Sequence, residues 1–280
     1  MKNKTVMILG STGMLGRYMS KYLQESFKII NISRAHLNAE NANKDKILDL
    51  IDNNVTTADK PDVVINCIGV IKSQIDKNTT AQTIKVNSLF PHLLAEAAES
   101  ISTPLIHITT DCIYSGKKDH SLAYNETDAL DVSDTYGVTK GLGEPTNCTV
   151  IRTSIIGEEV NQARSLIEWV KSEDGNNVNG FTDHWWNGVT CLQLAKITEE
   201  IIDTNNFWSG TRHVFSNSVS KDQLVAMIAD ALGITVTITP GPSPSPCNRQ
   251  LSSIHKLPFN IPSLSEQLKQ LRGFSATLYS

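Results

Sequence analysis

Three glycines at three-residue spacing restrict the fold of this chain more than any other feature. The turn contains Gly10, Gly13 and Gly16. It follows the apolar run Thr5–Leu9, which we predict as a strand, and leads into Met14–Gln24, which has helical periodicity. In such a unit one glycine permits the tight turn, one lets a pyrophosphate approach the backbone, and one lets helix and strand pack closely. The free N–H groups at the helix start favour phosphate; the alternative is a tight turn that holds no ligand.

Strand-like and helical segments alternate through the first half of the chain. The segment Asp62–Ile68 is a continuous apolar run, typical of a strand buried on both faces. Strands separated by helices in this way predict a parallel sheet with right-handed crossovers. We therefore predict an α/β fold, a Rossmann-type doubly wound parallel sheet with a smaller C-terminal α/β substrate-binding portion. The other predicted strands are Lys28–Ile32, Leu105–Thr109 and Thr149–Arg152, and the predicted helices are Asp45–Ile51 and Thr79–Ser100.

The second half is less regular, and we place a boundary near Arg152. Residues 1–152 are the predicted dinucleotide-binding domain, and residues 153–280 are mainly a substrate-binding portion, with some segments returning to the first sheet. The Asn- and Gly-rich segment Glu173–Asn179 is predicted as a loop, and Thr239–Cys247, with four prolines, as irregular structure. The remaining predicted elements are the helices Cys191–Asp203, Ser220–Leu232 and Leu264–Leu271 and the strand Thr211–Phe215.

Composition argues against several classes of partner. The 280 residues carry a formal net charge of −4, which gives no reason to expect nucleic acid. The longest apolar runs, such as Val63–Ile71, are well short of the roughly 18 residues of a membrane span. Because Met1–Lys4 also lacks signal-peptide features, we expect a cytoplasmic protein without membrane contact. The five cysteines form no CxxC pair and the seven histidines no ligand cluster, so we expect no metal.

The end of the second predicted strand indicates which dinucleotide the turn would hold. An NAD enzyme places Asp or Glu there to bind the ribose 2′-hydroxyl, whereas this chain has Ser33 and Arg34. A guanidinium suits a 2′-phosphate, and Arg17 could assist it. We therefore predict NADPH, with NADH as the other option; in the alternative interpretation Arg34 is an ordinary surface residue. The predicted contacts from the turn are Gly10, Thr12, Gly13, Met14, Leu15 and Gly16.

Two further stretches carry groups suited to proton transfer. Tyr136 and Lys140, four residues apart, share one face if their segment is helical. A nearby ammonium lowers the pKa of a tyrosine, which makes it usable for acid–base work, and Lys140 can also reach a nicotinamide ribose. Thr110, at the carboxyl end of a predicted strand, can hold a substrate carbonyl. Each residue alone is as well explained by a surface or capping role.

In combination, these stretches resemble the dTDP-4-dehydrorhamnose reductase-like branch of the extended short-chain dehydrogenase/reductase family. The resemblance implies a catalytic triad of Thr110, Tyr136 and Lys140. It also implies cofactor contacts from the glycine turn, from Tyr136 and Lys140, from the segment after Arg152, and from the strand end formed by Asn66, Cys67, Ile68 and Gly69. The stretches that carry it are GSTGMLGR, PDVVINCIG, VNSLFPHLLAEAA, TTDCIYSGKK, YNETD, YGVTKGLGE and IRTSIIG.

The family reaction implied is NADPH-dependent reduction of the C4 ketone of a nucleotide-linked 4-keto-6-deoxyhexose, used in deoxysugar and surface-glycan biosynthesis. The stretches RTSIIGEE and GFTDHWWNGVT resemble reductases of N-acetylated, UDP-linked 4-keto-6-deoxyhexoses more than the dTDP-rhamnose enzymes. This resemblance implies a UDP-2-acetamido-2,6-dideoxy-hexos-4-ulose as substrate, with dTDP-4-dehydrorhamnose as the other candidate. Some relatives use glutamates for Mg²⁺ at a dimer interface, but Arg17-Tyr18-Met19 stands at one such place, so no such metal is expected. A homodimer is the candidate assembly. The expected substrate contacts are Thr110, Asp111, Cys112, Trp185, Trp186, Asn187 and Arg249. In the alternative interpretation the paired tryptophans belong to the core and Arg249 is a solvated surface residue.

Three other functions stay open from the sequence. In the related GDP-fucose synthases a cysteine and a histidine epimerise before reduction, and Cys112 and His184 are candidate counterparts. In the alternative interpretation Cys112 is a small buried residue and His184 a loop residue. A 4,6-dehydratase is disfavoured because those enzymes carry Glu where Cys112 stands. The regulatory subunit of methionine adenosyltransferase also resembles this family, which leaves a non-catalytic binding role as the third option.

Overall fold

The computed structural model describes residues 4–53, 60–160 and 165–278, and within them a parallel six-stranded sheet forms the centre of the fold. The strands are β1 Thr5–Leu9, β2 Lys28–Ile32, β3 Val63–Asn66, β4 Leu105–Thr110, β5 Thr149–Thr153, β6 Ile155–Ile156, β7 Asn177–Phe181, β8 His184–Trp186, β9 Val189–Thr190, β10 Gly210–His213, β11 Val219–Ser220, β12 Thr237–Gly241 and β13 Cys247–Asn248. The helices are α1 Met14–Leu23, α2 Lys44–Asn53, α3 Thr80–Ile84, α4 Phe90–Ser100, α5 Thr135–Leu142, α6 Leu166–Ser172, α7 Cys191–Asp203, α8 Lys221–Leu232 and α9 Leu264–Ser275.

The order of the central sheet is β10-β5-β4-β3-β1-β2, with every neighbouring pair parallel. The chain runs from β1 to β2 on one side and then returns to β3 on the other side of β1. Ligands of open α/β sheets bind at the carboxyl ends of the strands where the order reverses in this way. The Rossmann-type α/β prediction is confirmed, and the switch point lies beside the glycine turn that follows β1.

The inner strands of the sheet are apolar along their whole length because both faces of the sheet are covered. All five residues of β1 and all four of β3 are buried. Val6 and Ile8 face a core that α1 and α7 share, while Met7 and Leu9 face a second core that includes residues of α2 and α4. Alternate side chains of one strand therefore enter opposite layers, as a strand's two-residue period requires.

The C-terminal half contributes both to the central sheet and to smaller sheets. β10 pairs in parallel with β5 at the sheet edge. β8 lies between β11 and β13 in a three-stranded sheet, and β7 pairs with β12. None of the described helices is long and apolar enough to cross a membrane, and the described residues contain no group of three His, Cys, Asp or Glu side chains suited to a metal ion.

Two segments predicted as irregular contain strands, and those predictions are wrong. The loop prediction for Glu173–Asn179 fails from Asn177, where β7 begins. The prediction for Thr239–Cys247 fails for its first three residues, which belong to β12, and for Cys247, where β13 begins. These segments pair in parallel, with Pro240 opposite Gly180. The ladder has only two strands, so the missing N–H of Pro240 can face an open edge, where proline is tolerated.

Candidate active site

The glycine turn after β1 has the close approaches that the dinucleotide motif requires. Gly10 has a φ of +78°, and its N–H donates to the carbonyl of Ile32 at 2.9 Å, which ties the turn to β2. A Cβ on Gly16 would lie 2.1 Å from the carbonyl oxygen of Gly10, so α1 packs against the turn at a distance that only glycine permits. Gly13 precedes α1 and supplies no side-chain cap. The first N–H groups of α1 are left for a phosphate, and the turn fits a dinucleotide.

The crevice beside this turn has a volume of about 630 Å³ and collects most of the predicted site residues. It contains parts of the glycine turn, the end of β3, the end of β4 and the start of α5. Arg17 and Arg34, the predicted partners of a 2′-phosphate, also line it. The predicted residues on its walls are Thr12, Gly13, Met14, Leu15, Arg34, Cys67, Ile68, Gly69, Thr110, Asp111, Cys112, Tyr136 and Lys140.

Other residues predicted to bind the cofactor do not line the crevice; their side chains contact neighbouring protein residues instead. The hydroxyl of Ser33 lies 3.1 Å from Nδ1 of His36. The buried Asn66 side chain lies 3.0 Å from Nδ1 of His107 and accepts the N–H of Ile68 at 3.0 Å. Asn66 thus shapes the loop after β3, while Gly10 and Gly16 set the spacing of turn and helix.

The predicted substrate residues of the second half divide into two groups. The Asn187 side chain is buried and exchanges two hydrogen bonds with the backbone of Leu251, at 2.7 and 2.8 Å, and Trp186 packs against the main core. Trp185 lines a second cavity of about 480 Å³. The Nε–H of Arg249 donates to the carbonyl of Tyr114 at 2.8 Å, next to the loop that follows β4. Trp185 and Arg249 therefore stay candidates for ligand contact, whereas Asn187 and Trp186 have structural contacts.

Tyr136 lies on α5 and faces Thr110 at the end of β4. Burial raises the pKa of Tyr136 well above its ordinary range, the thiol of Cys112 raises it further, and a hydrogen bond with the Thr110 hydroxyl works in the opposite direction. The expected lowering of this pKa by Lys140 is wrong, because desolvation dominates. Tyr136 is therefore a neutral phenol, which is the form that can donate a proton.

Lys140 lies one turn further along α5 and is almost completely buried. Its Nζ donates to the carbonyl of Ile108 at 3.3 Å, and a Cβ on Gly69 would lie 3.6 Å from the same atom. Burial lowers the pKa of Lys140 to about 8, although Glu144 and Cys67 favour its charged form. The ammonium thus lies close to Gly69, in the loop after β3, on the crevice wall that Tyr136 also lines.

Comparison with known proteins agrees with this arrangement. The model of the RmlD substrate binding domain matches residues 4–255. The chain belongs to the RmlD substrate binding domain family. This membership confirms the resemblance to the dTDP-4-dehydrorhamnose reductase-like branch of the extended short-chain dehydrogenases/reductases.

The identities with individual similar proteins are low. The dTDP-4-dehydrorhamnose reductase of Aggregatibacter actinomycetemcomitans is 28% identical over 212 residues, 70% of this chain and 68% of that protein. Methionine adenosyltransferase 2 subunit beta of Bos taurus is 24% identical over 258 residues, 83% of this chain and 73% of that protein. The structure of dTDP-4-dehydrorhamnose reductase from Bacillus anthracis str. Ames in complex with NADP has a TM-score of 0.78 and 20% identity, and covers 97% of this chain and 99% of that one.

Asn87 is a positioning residue that sequence reasoning missed. Its Oδ1 accepts the N–H of Val70 at 2.8 Å, and its Nδ2 donates to the carbonyl of Val70 at 3.1 Å and to the hydroxyl of Thr139 at 3.3 Å. One buried amide thereby joins the loop after β3 to α5. Its partners are Val70, the neighbour of Gly69, and Thr139, the neighbour of Lys140. The available signal was an asparagine three and seven residues before the apolar Phe90 and Leu94, on the face of the predicted helix that should be buried, where a side-chain amide demands hydrogen-bond partners.

The structure does not bring Cys112 and His184, the candidate pair for epimerisation, to the same cavity wall: Cys112 lines the crevice, and His184 belongs to β8 instead of to a loop. Burial and the neighbouring Asp111 raise the pKa of the Cys112 thiol to about 12, so it is protonated at neutral pH. The Nε2 of His184 lies 2.7 Å from the carbonyl oxygen of Ser245, and His184 is absent from the walls of both cavities.

Proposed function

We propose that this protein reduces the C4 ketone of a nucleotide-linked 4-keto-6-deoxyhexose with NADPH. The observation that carries the proposal is the convergence of Thr110, Tyr136 and Lys140 on one crevice at the switch point of the sheet, beside the glycine turn. A hydroxyl, a neutral phenol and a buried ammonium together supply a hydrogen bond, a proton and a positive charge to one reacting carbonyl. Membership of the RmlD family supports the same activity.

The residues that would hold NADPH are those around the glycine turn and the first strand ends. The N–H groups at the start of α1 would receive the pyrophosphate. Arg34 and Arg17 both line the crevice and would take the 2′-phosphate. Lys140 would reach the nicotinamide ribose, because its Nζ lies directly below Gly69 at the crevice wall. The similar structure of dTDP-4-dehydrorhamnose reductase from Bacillus anthracis, which is in complex with NADP, supports this choice of cofactor.

The chemistry divides between the cofactor and three side chains. When bound, NADPH would supply the hydride for C4. Tyr136 donates its proton to the oxygen at C4, and the raised pKa keeps that proton on the phenol until negative charge develops on the oxygen. The Thr110 hydroxyl, which donates to Oδ1 of Asp111 at 3.2 Å in this structure, turns to the same oxygen. The ammonium of Lys140 stabilises the phenolate that remains.

The finer proposal for the substrate is a UDP-2-acetamido-2,6-dideoxy-hexos-4-ulose or dTDP-4-dehydrorhamnose. The stretches RTSIIGEE and GFTDHWWNGVT support it, because they provide parts of the crevice rim and of the second cavity. We further propose that the protein is cytoplasmic and has two portions divided near Arg152. In this division residues 153–280 mainly bind substrate, and β10 belongs to the sheet of the first portion.

The simple reductase is favoured over the bifunctional epimerase and over a regulatory subunit. Removal of a C–H proton needs a base, and a thiol with a pKa of about 12 is a poor one at neutral pH. The similarity to methionine adenosyltransferase 2 subunit beta supports a binding role as the second candidate. Ketone-dependent NADPH oxidation separates the two, because a regulatory subunit without turnover gives none.

The test is turnover of NADPH with a panel of UDP-, dTDP- and GDP-linked 4-keto-6-deoxyhexoses, in the wild type and in Tyr136→Phe. We expect one class of sugar nucleotide to be reduced. Tyr136→Phe removes only the proton donor, so kcat should fall by roughly 10²–10⁴, while NADPH still binds. No turnover with any member of the panel, or near-wild-type turnover in the variant, would contradict the proposal.

A further inference from the structure

A buried ion pair joins β5 to the end of α5. The guanidinium of Arg152 donates through its Nε–H to Oε1 of Glu144 at 3.0 Å, and through Nη2 to Oε2 of the same carboxylate. The two side chains are only 8% and 9% exposed. Glu144 stands just after α5, four residues beyond Lys140. A buried pair with two parallel hydrogen bonds has a defined geometry, and loss of one partner leaves the other charge uncompensated.

The remaining terminal nitrogen of Arg152 contacts the segment that follows Thr110. Its Nη1 donates to the hydroxyl of Tyr114 at 2.6 Å, and that hydroxyl donates to the carbonyl of Asn125 at 2.9 Å. Tyr114 is fully buried and lies four residues after Thr110. One guanidinium therefore holds both the segment after β4 and the end of α5, the two elements that carry the predicted triad.

A neutral histidine completes this cluster. The Nη1 of Arg152 also lies 2.8 Å from Nε2 of His213, on β10. The Nδ1 of His213 lies 2.7 Å from the carbonyl oxygen of Ser252, so Nδ1 carries the ring proton and Nε2 accepts from the guanidinium. Burial and the charge of Arg152 lower the pKa of His213 to about 4. His213 thus orients Arg152 without adding a second positive charge.

The ion pair also brings a negative charge to Lys140. Burial lowers the pKa of Lys140 to about 8, and the carboxylate of Glu144 acts in the opposite direction. Two other titratable groups act on the ammonium or respond to it, Cys67 after β3 and His107 on β4. Both are uncharged at neutral pH, because burial raises the pKa of the thiol to about 12 and lowers that of the imidazole. Among the described residues, Glu144 is therefore the anion that supports the charge of Lys140.

We propose that Arg152 is a positioning residue of the reductase, which holds Thr110 and Lys140 at a fixed separation through Tyr114 and Glu144. The inference rests on the proposed function, because it relates the cluster to the groups that would surround the reacting carbonyl. The two branches have different consequences. The Tyr114 branch fixes the position of the Thr110 hydroxyl, and the Glu144 branch maintains the charge of Lys140.

The test measures each branch by what it alone should change. Glu144→Gln should lower the pKa of Lys140 by about one pH unit or more. A ¹³C NMR titration of the lysine side chains measures this pKa in the full chain without ketone, and Lys140→Arg identifies the resonance. The alkaline limit of kcat/KM for NADPH should move down by the same amount. Tyr114→Phe keeps the ring but removes the hydroxyl, and should lower kcat by about tenfold at an unchanged Lys140 pKa and an unchanged Kd for NADPH.

The matched control is Glu199→Gln. It removes a carboxylate that accepts the hydroxyl of Tyr22 at 2.7 Å, between α7 and α1, and that lines neither cavity. This variant should keep the wild-type pKa of Lys140 and the wild-type kcat. Glu144→Gln combined with Arg152→Gln leaves neither charge unpaired. It should fold even where the single variant does not, and it should also lower the pKa of Lys140.

Coupling between the branches tests the role of the shared guanidinium. Because Tyr114 and Glu144 act through Arg152, the losses of kcat in Tyr114→Phe and Glu144→Gln should not multiply when the two are combined. Losses that multiply, or a Lys140 pKa that is unchanged in both variants lacking Glu144, would overturn the proposal. A lowered Lys140 pKa in a protein whose wild type reduces no ketone would contradict the reductase but support the link between Glu144 and Lys140.

Discussion

At the scale of single residues, burial decides the protonation states in the crevice. It raises the pKa of Tyr136 and lowers that of Lys140 to about 8. A sequence motif cannot predict these shifts, because it shows which residues are close to one another but not how deeply they are buried. The sequence groups Thr110, Tyr136 and Lys140, and the structure has these three residues on the wall of one crevice. The motifs did not show that Asn66 points to His107, or that Asn187 bonds to Leu251, because these contacts join segments far apart in sequence.

Lys140 predicts the alkaline limit of activity. A lowered pKa means that the ammonium is lost as pH rises through about 8, instead of above the usual 10.5. We expect kcat/KM for NADPH, measured at saturating ketone, to be steady below pH 7.5 and then to fall by about tenfold per pH unit, since this parameter reports the free enzyme. Lys140→Arg, which stays charged, should be slower at pH 7 but should not show this fall. A wild-type profile that stays flat to pH 10 would refute the assignment.

Arg34 predicts the choice of cofactor. The side chain lines the crevice next to the glycine turn, where a 2′-phosphate would lie. Arg34→Asp replaces the guanidinium by a carboxylate, which repels the phosphate and accepts a hydrogen bond from a 2′-hydroxyl. The ratio of kcat/KM for NADPH to that for NADH should therefore shift towards NADH. Lys269→Asp makes the same charge change on α9 and should leave the ratio as it is; an unchanged ratio in both variants would make Arg34 a surface residue.

At the scale of elements, the predicted helix Thr79–Ser100 is interrupted by a π-helical turn, Lys85–Leu89, between α3 and α4. Pro91 has no N–H to give to the carbonyl of Asn87, four residues before it, so the α-helical pattern cannot continue there. The apolar periodicity of the stretch is helical throughout and conceals this interruption. The turn positions Asn87 towards Val70 and Thr139, and Ser88 donates to the carbonyl of Thr139 at 2.8 Å.

The contact between this turn and the end of α5 predicts a stability effect. A Cβ on Gly143 would lie 1.8 Å from the carbonyl oxygen of Asn87 and 3.1 Å from the Cα of Ser88, although the backbone of Gly143 has an ordinary φ of −98°. Gly143→Ala must therefore push the π-turn away, and should lower the free energy of unfolding by about 1–3 kcal/mol. The control Gly273→Ala lies in α9 with no atom within 4 Å of the new Cβ, and should raise stability by roughly 0.5–1 kcal/mol.

Urea denaturation of the two alanine variants checks these signs. Because Gly143 packs against the carbonyl of Asn87, the urea midpoint of unfolding should fall for Gly143→Ala. It should rise for Gly273→Ala, and the m-value should be unchanged in both variants. An equal or higher midpoint for Gly143→Ala would show that the helix end and the π-turn are further apart. Activity should fall with the first variant, because Asn87 also positions the loop that ends at Val70.

At the scale of the whole molecule, the two halves share one core. Val6 and Ile151 of the central sheet belong to the same buried cluster as Leu192, Leu224 and Leu268 of the second half. The alternation of strands and helices predicts the first five strands of the sheet in order. The sequence also predicts a strand at Thr211–Phe215, where β10 lies. It does not predict that β10 pairs with β5 or that β7 pairs with β12, because a strand's partner depends on packing between segments distant in sequence.

This shared core predicts that residues 1–152 do not fold alone. The fragment lacks β10, so β5 becomes an open sheet edge, and it lacks α7, which packs on α1 and covers one face of the sheet. Tyr18, fully buried in the whole chain, also loses contacts from the second half, where its hydroxyl accepts the N–H of Glu158 at 3.0 Å and its ring stacks 6.0 Å from that of Phe274. We expect one cooperative thermal transition for the full chain and none for the fragment, by near-ultraviolet circular dichroism. Co-expression with residues 153–280 should restore the transition and NADPH binding, and a fragment that melts cooperatively and binds NADPH unaided would contradict the shared core.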